Sequence, residues 1–234
     1  MSNLSIILCA YNEANSIKKT LNKLINKDLI REIIIVDDNS TDGTSEIIKS
    51  FDSDKIKLFI RKNTKGFASA FIFGIMMSRG DYILRFDVDM FDEINFFLDT
   101  FEKNKDNDCV IFSRYVMNGN DLRSSYRKMS SLMLNKLCQY LLSNKIKDYT
   151  SCIMFFKRSL LSDIAPQNSY YANFIIEFVF LLIHKKKNYL EIGFVQKKST
   201  ELNSKSSPNI MGFLKNGFFY LITILKCVLL KIIY

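Results

Sequence analysis

The chain has 234 residues, 48% of them hydrophobic, with only 8 Gly and 2 Pro. That supplies enough apolar material for a large folded domain and excludes a disordered, collagen-like or Pro-rich linker protein. Lys and Arg exceed Asp and Glu by 33 − 24 = +9, a balance that favours anionic partners such as nucleotide phosphates or an acidic membrane surface.

The first half alternates short apolar runs with helical spacing. Residues 4–9 predict a buried strand, and no basic, apolar leader stands ahead of it. A cytoplasmic location is therefore expected. Residues 15–25 place Ile17, Leu21, Leu24 and Ile25 on one helix face. Strand 32–36 follows, then a polar turn over 37–44, a helix over 44–51 and a strand over 56–60. Residues 68–78 read as a helix, 81–86 as a strand, 93–102 as a helix and 110–113 as a strand. This pattern predicts an α/β fold, a mostly parallel sheet flanked by helices. In such sheets ligands sit beyond the carboxyl ends of the strands.

The second half is different. Residues 121–144 form a long amphipathic helical stretch with Met129, Leu132, Met133, Leu137, Tyr140 and Leu141. Residues 151–156 and 189–195 read as strands, 175–184 as an apolar helix and 199–208 as a polar loop. His184, the single histidine, closes that helix before Lys185, Lys186 and Lys187, which suits a C-terminal cation better than a catalytic triad. Residues 212–234 are apolar again and are expected as a separate helix after a catalytic domain over 1–211. Their longest uncharged run, 217–225, is far short of the roughly 20 residues of a spanning helix. Lys215 and Lys226 fall near one face, as in an interfacial helix with snorkelling lysines; a helix buried on the core is the alternative. The cysteines, Cys9, Cys109, Cys138, Cys152 and Cys227, contain no C-x-x-C pair and read as buried thiols rather than a disulfide or zinc framework.

Three strand-end segments carry chemistry. Asp87 and Asp89 flank Val88 after an apolar strand, and two carboxylates so spaced can share a hard divalent ion bridging two phosphates. The same pattern also suits a solvated acidic turn. The run from Asp37 to Thr44 supplies acceptors for a nucleobase, although Ser40, Thr41 and Asp42 also suit capping of the next helix. Tyr11 and Glu13 offer a ring face and a ribose acceptor, with Asn15 or Ser16 available to cap the first helix. Nucleic acid is not an expected partner, because the basic residues are scattered and no recognition-helix motif is present. A nucleotidyltransferase would normally show a Gly-rich basic loop after the first strand, and 10–15 shows none.

Taken together, "SIILCAYNEANSI", "IIIVDDNSTDGT" and "RKNTKGFASAFIFGIMMSRGDYILRFDVDM" resemble the family 2 glycosyltransferases of the GT-A fold over the first half of the chain. Farther on, "FSRYVMNGN", "DYTSCIMFFKRSLL" and "STELNSKSS" are similar to the polyprenyl-phosphate sugar synthases within that family. The resemblance implies a nucleotide diphosphate sugar donor, with Ala10, Tyr11, Glu13, Asp37, Asp38, Gly66 and Asp87 at the nucleotide. It implies Mg²⁺ or Mn²⁺ on Asp87 and Asp89, with Asp89, Arg114 and Lys205 in catalysis. It also implies Arg114, Ser204 and Lys205 on phosphates, a lipid phosphate acceptor, and attachment at the inner face of a membrane.

The chain departs from the subfamily where Phe91 stands for Gln, Tyr149 for Pro, Cys152 for Gly, Met154 for Arg and Leu202 for Gly; Asp92 is the nearest substitute for the missing Gln. A phosphate acceptor is already ionised near neutral pH and needs positioning and screening more than a base. Direct displacement would invert the anomeric centre. With a hydroxyl acceptor on a growing glycan, Asp92 or Glu93 becomes the base. A degenerate, non-catalytic scaffold is the third reading.

Overall fold

A computed structural model describes residues 3–164, 172–197 and 210–233. The chain divides into two compact units, one formed by Met1–Asn107 with Ile153–Leu161 and the other by Asp108–Cys152 with Ser162–Tyr234.

In the first unit, β1 (Leu4–Ala10), β2 (Ile30–Asp37), β3 (Ile56–Ile60) and β4 (Tyr82–Arg85) run parallel. β1 and β2 are almost wholly buried, as expected of apolar strands covered on both faces. The helices are α1 (Ala14–Leu24), α2 (Thr44–Lys49), α3 (Phe67–Met77) and α4 (Ile94–Asn104), the last entered by a 3₁₀ turn at Phe91–Glu93. α1 buries Ile17, Leu21 and Leu24, the stripe its periodicity predicts. α3 packs closely at Gly74, where an added Cβ would lie 2.6 Å from an Ile7 methyl.

In the second unit, β5 (Cys109–Ser113) is fully buried. β6 (Asn120–Asp121) and α5 (Ser125–Leu141) follow. Returning to the first unit, β7 (Met154–Lys157) pairs antiparallel with β4. The second unit resumes with α6 (Phe174–His184), β8 (Tyr189–Gly193), β9 (Val195–Gln196) and α7 (Ile210–Ile233). β5 and β8 are parallel, as are β6 and β9. The α/β class and the mostly parallel pairing agree with the sequence pattern.

The C-terminal apolar stretch is helical in α7. One side packs on α6: Asn173 Nδ2 donates to Thr223 Oγ1 at 2.8 Å, Lys226 Nζ meets Glu177 at 2.6 Å, and Ile224 and Cys227 are buried. Lys231 Nζ donates to the carbonyls of Leu141 and Leu142, closing the end of α5. Lys226 is thus tied to a buried glutamate; the side chain of Lys215 lies outside the described residues. No helix among the described residues is long and apolar enough to cross a membrane. None of the five cysteines is in a disulfide.

Candidate active site

Strand register assembles the site in the first unit. Ala10 is level with Asp37, and Asp37 with Ile60, so the loops after β1, β2 and β3 leave the sheet from one row. They then bind one another. Asn12 takes the left-handed conformation, φ 55°, which Asn tolerates better than most residues. Its amide donates to Ser40 Oγ at 2.8 Å and its Oδ1 accepts the Thr41 amide at 2.8 Å. The amide of Glu13 donates to Thr44 Oγ1 and that of Ala14 to Asp42 Oδ2. The orphan amides at the start of α1 are thus capped from the β2 loop. The expected local caps, Asn15 and Ser16, instead lie inside the first turn.

The two aspartates after β2 have separate tasks. Asp37 is fully buried and accepts from the hydroxyls of Ser40 and Ser45. Asp38 accepts from Arg61 Nε at 2.7 Å and Nη2 at 2.5 Å, and from the Gly66 amide at 2.7 Å. Gly66, at φ +131°, supplies a backbone conformation closed to most side chains. This brings the β3–α3 loop to Tyr11, where Lys65 Nζ stands 4.8 Å from the ring centroid.

After β4 the side chains alternate. Val88 and Met90 turn inward, while Asp87 and Asp89 are half-buried. Asp87 is held by Arg85, whose guanidinium lies 4.3 Å from the centroid of the Phe67 ring. Burial pushes the Asp89 carboxyl up to about 7, and the charges of Asp87 and Glu13 push the same way. The residues therefore concentrate negative charge on hard oxygen donors, which fits Mg²⁺ or Mn²⁺. No cluster of three or more His, Cys, Asp or Glu suited to a metal occurs among the described residues. Two carboxylates with donor phosphates completing the shell is the usual arrangement for Mg²⁺.

In the second unit the strand end is closed off. Arg114 follows β5 and is 5% exposed. Its Nε and Nη2 bond Asp148 at 2.8 and 2.7 Å, Nη2 also reaches Thr150 Oγ1 at 2.6 Å, and Nη1 lies 3.8 Å from Asp121. Asp121 in turn takes Arg123 Nη2 at 2.6 Å. Glu191 accepts the amides of Lys147 and Asp148, fixing the Asp148 loop. A phosphate at Arg114 would thus compete with a bidentate buried carboxylate. The expected phosphate partners Ser204 and Lys205 lie outside the described residues.

The model of the family described as "Glycosyl transferase family 2" matches residues 5–165. The chain belongs to that family. A dolichyl-phosphate β-glucosyltransferase of Dictyostelium discoideum is 33% identical over 184 residues, covering 70% of this chain and 56% of that protein. The chain spans about half or less of the length of such curated relatives, 22% for a probable glycosyltransferase of Bacillus subtilis. Among solved structures, glucosyl-3-phosphoglycerate synthase of Mycobacterium tuberculosis matches with TM-score 0.70 at 14% identity, over 97% of this chain and 80% of that one. Mannosyl-3-phosphoglycerate synthase of Rubrobacter xylanophilus matches with TM-score 0.70 at 15% identity, over 98% and 75%. Both likenesses concern the fold, and they agree with the α/β architecture the sequence implied.

For a family 2 chain, several structural residues were not singled out from sequence. Arg61, Lys65 and Arg85 tie the loops at the strand ends of the first unit; Asp148 and Arg123 tie the second unit. Arg61, Lys65, Arg85 and Asp148 lay within the segments that carry the family resemblance, but nothing local in the sequence named their partners. Two of the departures, Phe91 and Tyr149, have partners within the fold, and Leu202 lies outside the described residues. Lys19 and Lys23 lie 5.0 and 5.6 Å from the centroid of the Phe91 ring, and Asp92 pairs with Lys23 at 3.3 Å. Tyr149 is fully buried and its hydroxyl donates to the Ser143 carbonyl at 2.8 Å.

Proposed function

We propose that this chain transfers a sugar from a nucleotide diphosphate sugar to a polyprenyl-phosphate-type lipid, with inversion, assisted by Mg²⁺ or Mn²⁺. The observation that carries the reading is the half-buried Asp89 beside Asp87 at the strand end, where burial first, and then the charges of Asp87 and Glu13, lift its carboxyl to about 7. Such a field has little structural use and suits a cation paired with a diphosphate. Asp87 and Asp89 would hold the ion, and the ion would stabilise charge on the leaving diphosphate. Supporting it, a solved M. tuberculosis fold relative is described as a complex with Mn²⁺ and uridine diphosphate.

Tyr11 and Glu13 present a ring face and a carboxylate to the nucleoside, beside Ala10. Asp38 and Gly66 shape the base side by holding the loop with Arg61, while Asp37 holds the loop from within. Arg114 acts through the Asp148–Asp121 network, and Ser204 and Lys205 meet phosphate as the polyprenyl-phosphate resemblance implies. The dolichyl-phosphate relative supports the lipid acceptor. Of Asp92 and Glu93, the two alternative bases for a hydroxyl acceptor, Asp92 is turned to Lys23.

The test is transfer from a panel of nucleotide sugars, with and without a short polyprenyl phosphate, in Mg²⁺, Mn²⁺ or chelator. Metal-dependent formation of a lipid-linked sugar is expected. Transfer to a glycan hydroxyl alone would replace this reading with the second.

A further inference from the structure

α5 is built with its polar side inward. Facing the unit's interior, Asn135 Nδ2 donates to Thr150 Oγ1 at 2.9 Å, Asn135 Oδ1 accepts the Tyr149 amide at 2.6 Å, and Gln139 Nε2 donates to the Lys147 carbonyl at 2.9 Å. Facing outward are Tyr126, Met129, Met133 and Tyr140, 53%, 58%, 66% and 87% exposed. Their spacing, i, i+3, i+7 and i+14, keeps them on one narrow stripe. A folded domain seldom leaves such a stripe to water, and it marks a contact surface.

The charge around the stripe selects its occupant. From Leu122 to Lys147 the chain carries Arg123, Arg127, Lys128, Lys136, Lys145 and Lys147, with no Asp or Glu. Lys128, Lys136 and Lys145 are exposed. α7, fastened to the end of α5 through Lys231, also has no acid and exposes Phe218, Leu225, Leu229 and Ile232. A second copy would set cations against cations, which disfavours self-association. A nucleic acid would satisfy the charge and leave the methionines without a partner. Acidic headgroups over acyl chains satisfy both.

We infer that the outward face of α5 is a membrane-docking surface, inserting Tyr126, Met129, Met133 and Tyr140 into an anionic bilayer beside α7. This rests on the lipid-acceptor reading for its purpose but not for its test.

The chain has no Trp, so Met133→Trp makes a single fluorophore. Mixed with phosphatidylcholine–phosphatidylglycerol vesicles, its emission should move to the blue and be quenched by lipids brominated on the acyl chain. Pure phosphatidylcholine should have a weaker effect. Met129→Glu with Met133→Glu should weaken vesicle binding roughly tenfold or more, given two apolar side chains withdrawn from burial. Circular dichroism melting shows whether each variant is folded, and Tyr140→Trp replaces Met133→Trp if that one is not. If Leu225→Trp on α7 is quenched and both α5 probes stay in water, the α5 surface is overturned while a lipid acceptor stands. Insertion without transfer to polyprenyl phosphate would overturn the acceptor reading and leave this surface standing. A blue shift that follows protein concentration without vesicles, in step with a sedimenting dimer, would assign the face to a second copy. A shift with oligonucleotide and not with vesicles would likewise overturn it.

Discussion

At the end of β4, in the first unit, Asp87 and Asp89 stand half-buried, and burial, with the charges of Asp87 and Glu13 added, lifts Asp89 to about 7. At the end of β5, in the second unit, Arg114 has its charge met by Asp148, Thr150 and Asp121. Both are charged residues beside the carboxyl end of a buried strand, and sequence alone assigned both to ligands. The difference is satisfaction. The Arg114 charge is met by buried partners within the fold, whereas Asp89 is a half-buried carboxylate beside Asp87 and Glu13, a setting that suits a cation although Arg85 already pairs with Asp87.

The largest expected effect breaks the first side of that contrast. Asp89→Ala should reduce sugar transfer about 100-fold or more, since a metal clamp on a leaving group is worth several kcal/mol at about 1.4 kcal/mol per tenfold. Stability should change little or rise, because removing the carboxylate relieves repulsion. Steady-state transfer and urea unfolding on the same preparation decide it. Full activity in the folded variant would return Asp89 to the status of a surface turn.

Arg114→Ala attacks the other side. It leaves Asp148 buried and unpaired, so a loss of about 3–5 kcal/mol in unfolding free energy is expected. Arg114→Met with Asp148→Leu should restore much of it. The pH dependence carries a sign. Burial alone would push the Asp148 carboxyl up, but the Arg114 charge and hydrogen bonds outweigh it and hold it below the usual range. A depressed folded pKa gives stability that is present above the unfolded value, about 3.9, and lost as pH falls through the folded one. The wild type should therefore lose stability below about pH 4 more steeply than the double variant. If Arg114→Ala instead keeps its stability and loses only acceptor affinity, Arg114 is a phosphate ligand after all.

This contrast also shows what was legible in the sequence. From β1 to α4 the strands and helices lie within one or two residues of their expected bounds, because buried parallel strands are continuous apolar runs and α1 has a clear stripe, whereas β7 begins three residues later than expected. The strand-end segments were found because strand order fixes where the loops emerge. The partners of the charges were not legible. Asp148 lies 34 residues from Arg114, and Asp38 lies 23 from Arg61; no local pattern relates them. Periodicity placed Met129, Met133 and Tyr140 on a common face of α5, but it does not say whether a face points inward. Asn135 and Gln139 take the inward side because Thr150, Tyr149 and Lys147 offer them hydrogen bonds.

Asp38→Asn sharpens the comparison within the first unit. The amide can still accept from the Gly66 N–H through its oxygen, but the charge on Arg61 loses its counter-ion. A cost of about 1.5–3 kcal/mol is expected for hydrogen bonds to a charged group, with faster amide exchange across the 61–66 loop. Nucleotide affinity should fall through disorder of that loop. Weakened nucleotide binding with unchanged exchange would mean that Asp38 itself touches the nucleoside.

The smallest effect concerns Lys226. Its ammonium is 2.6 Å from Glu177, a side chain 8% exposed, while Lys226 itself is 44% exposed. A pair so open to water contributes about 0.2–1 kcal/mol, so Lys226→Gln should lower the melting temperature only slightly, the amide still able to donate to the carboxylate. Binding to anionic vesicles should stay within error of the wild type, because this lysine serves Glu177 on α6 and not a headgroup. Lys128→Gln with Lys136→Gln, exposed on α5, should weaken vesicle binding and steepen no melting curve. Were Lys226→Gln to release the protein from vesicles as strongly as the α5 pair does, the ion pair with Glu177 would have to open at the membrane, and α7 would be the snorkelling helix its sequence first suggested.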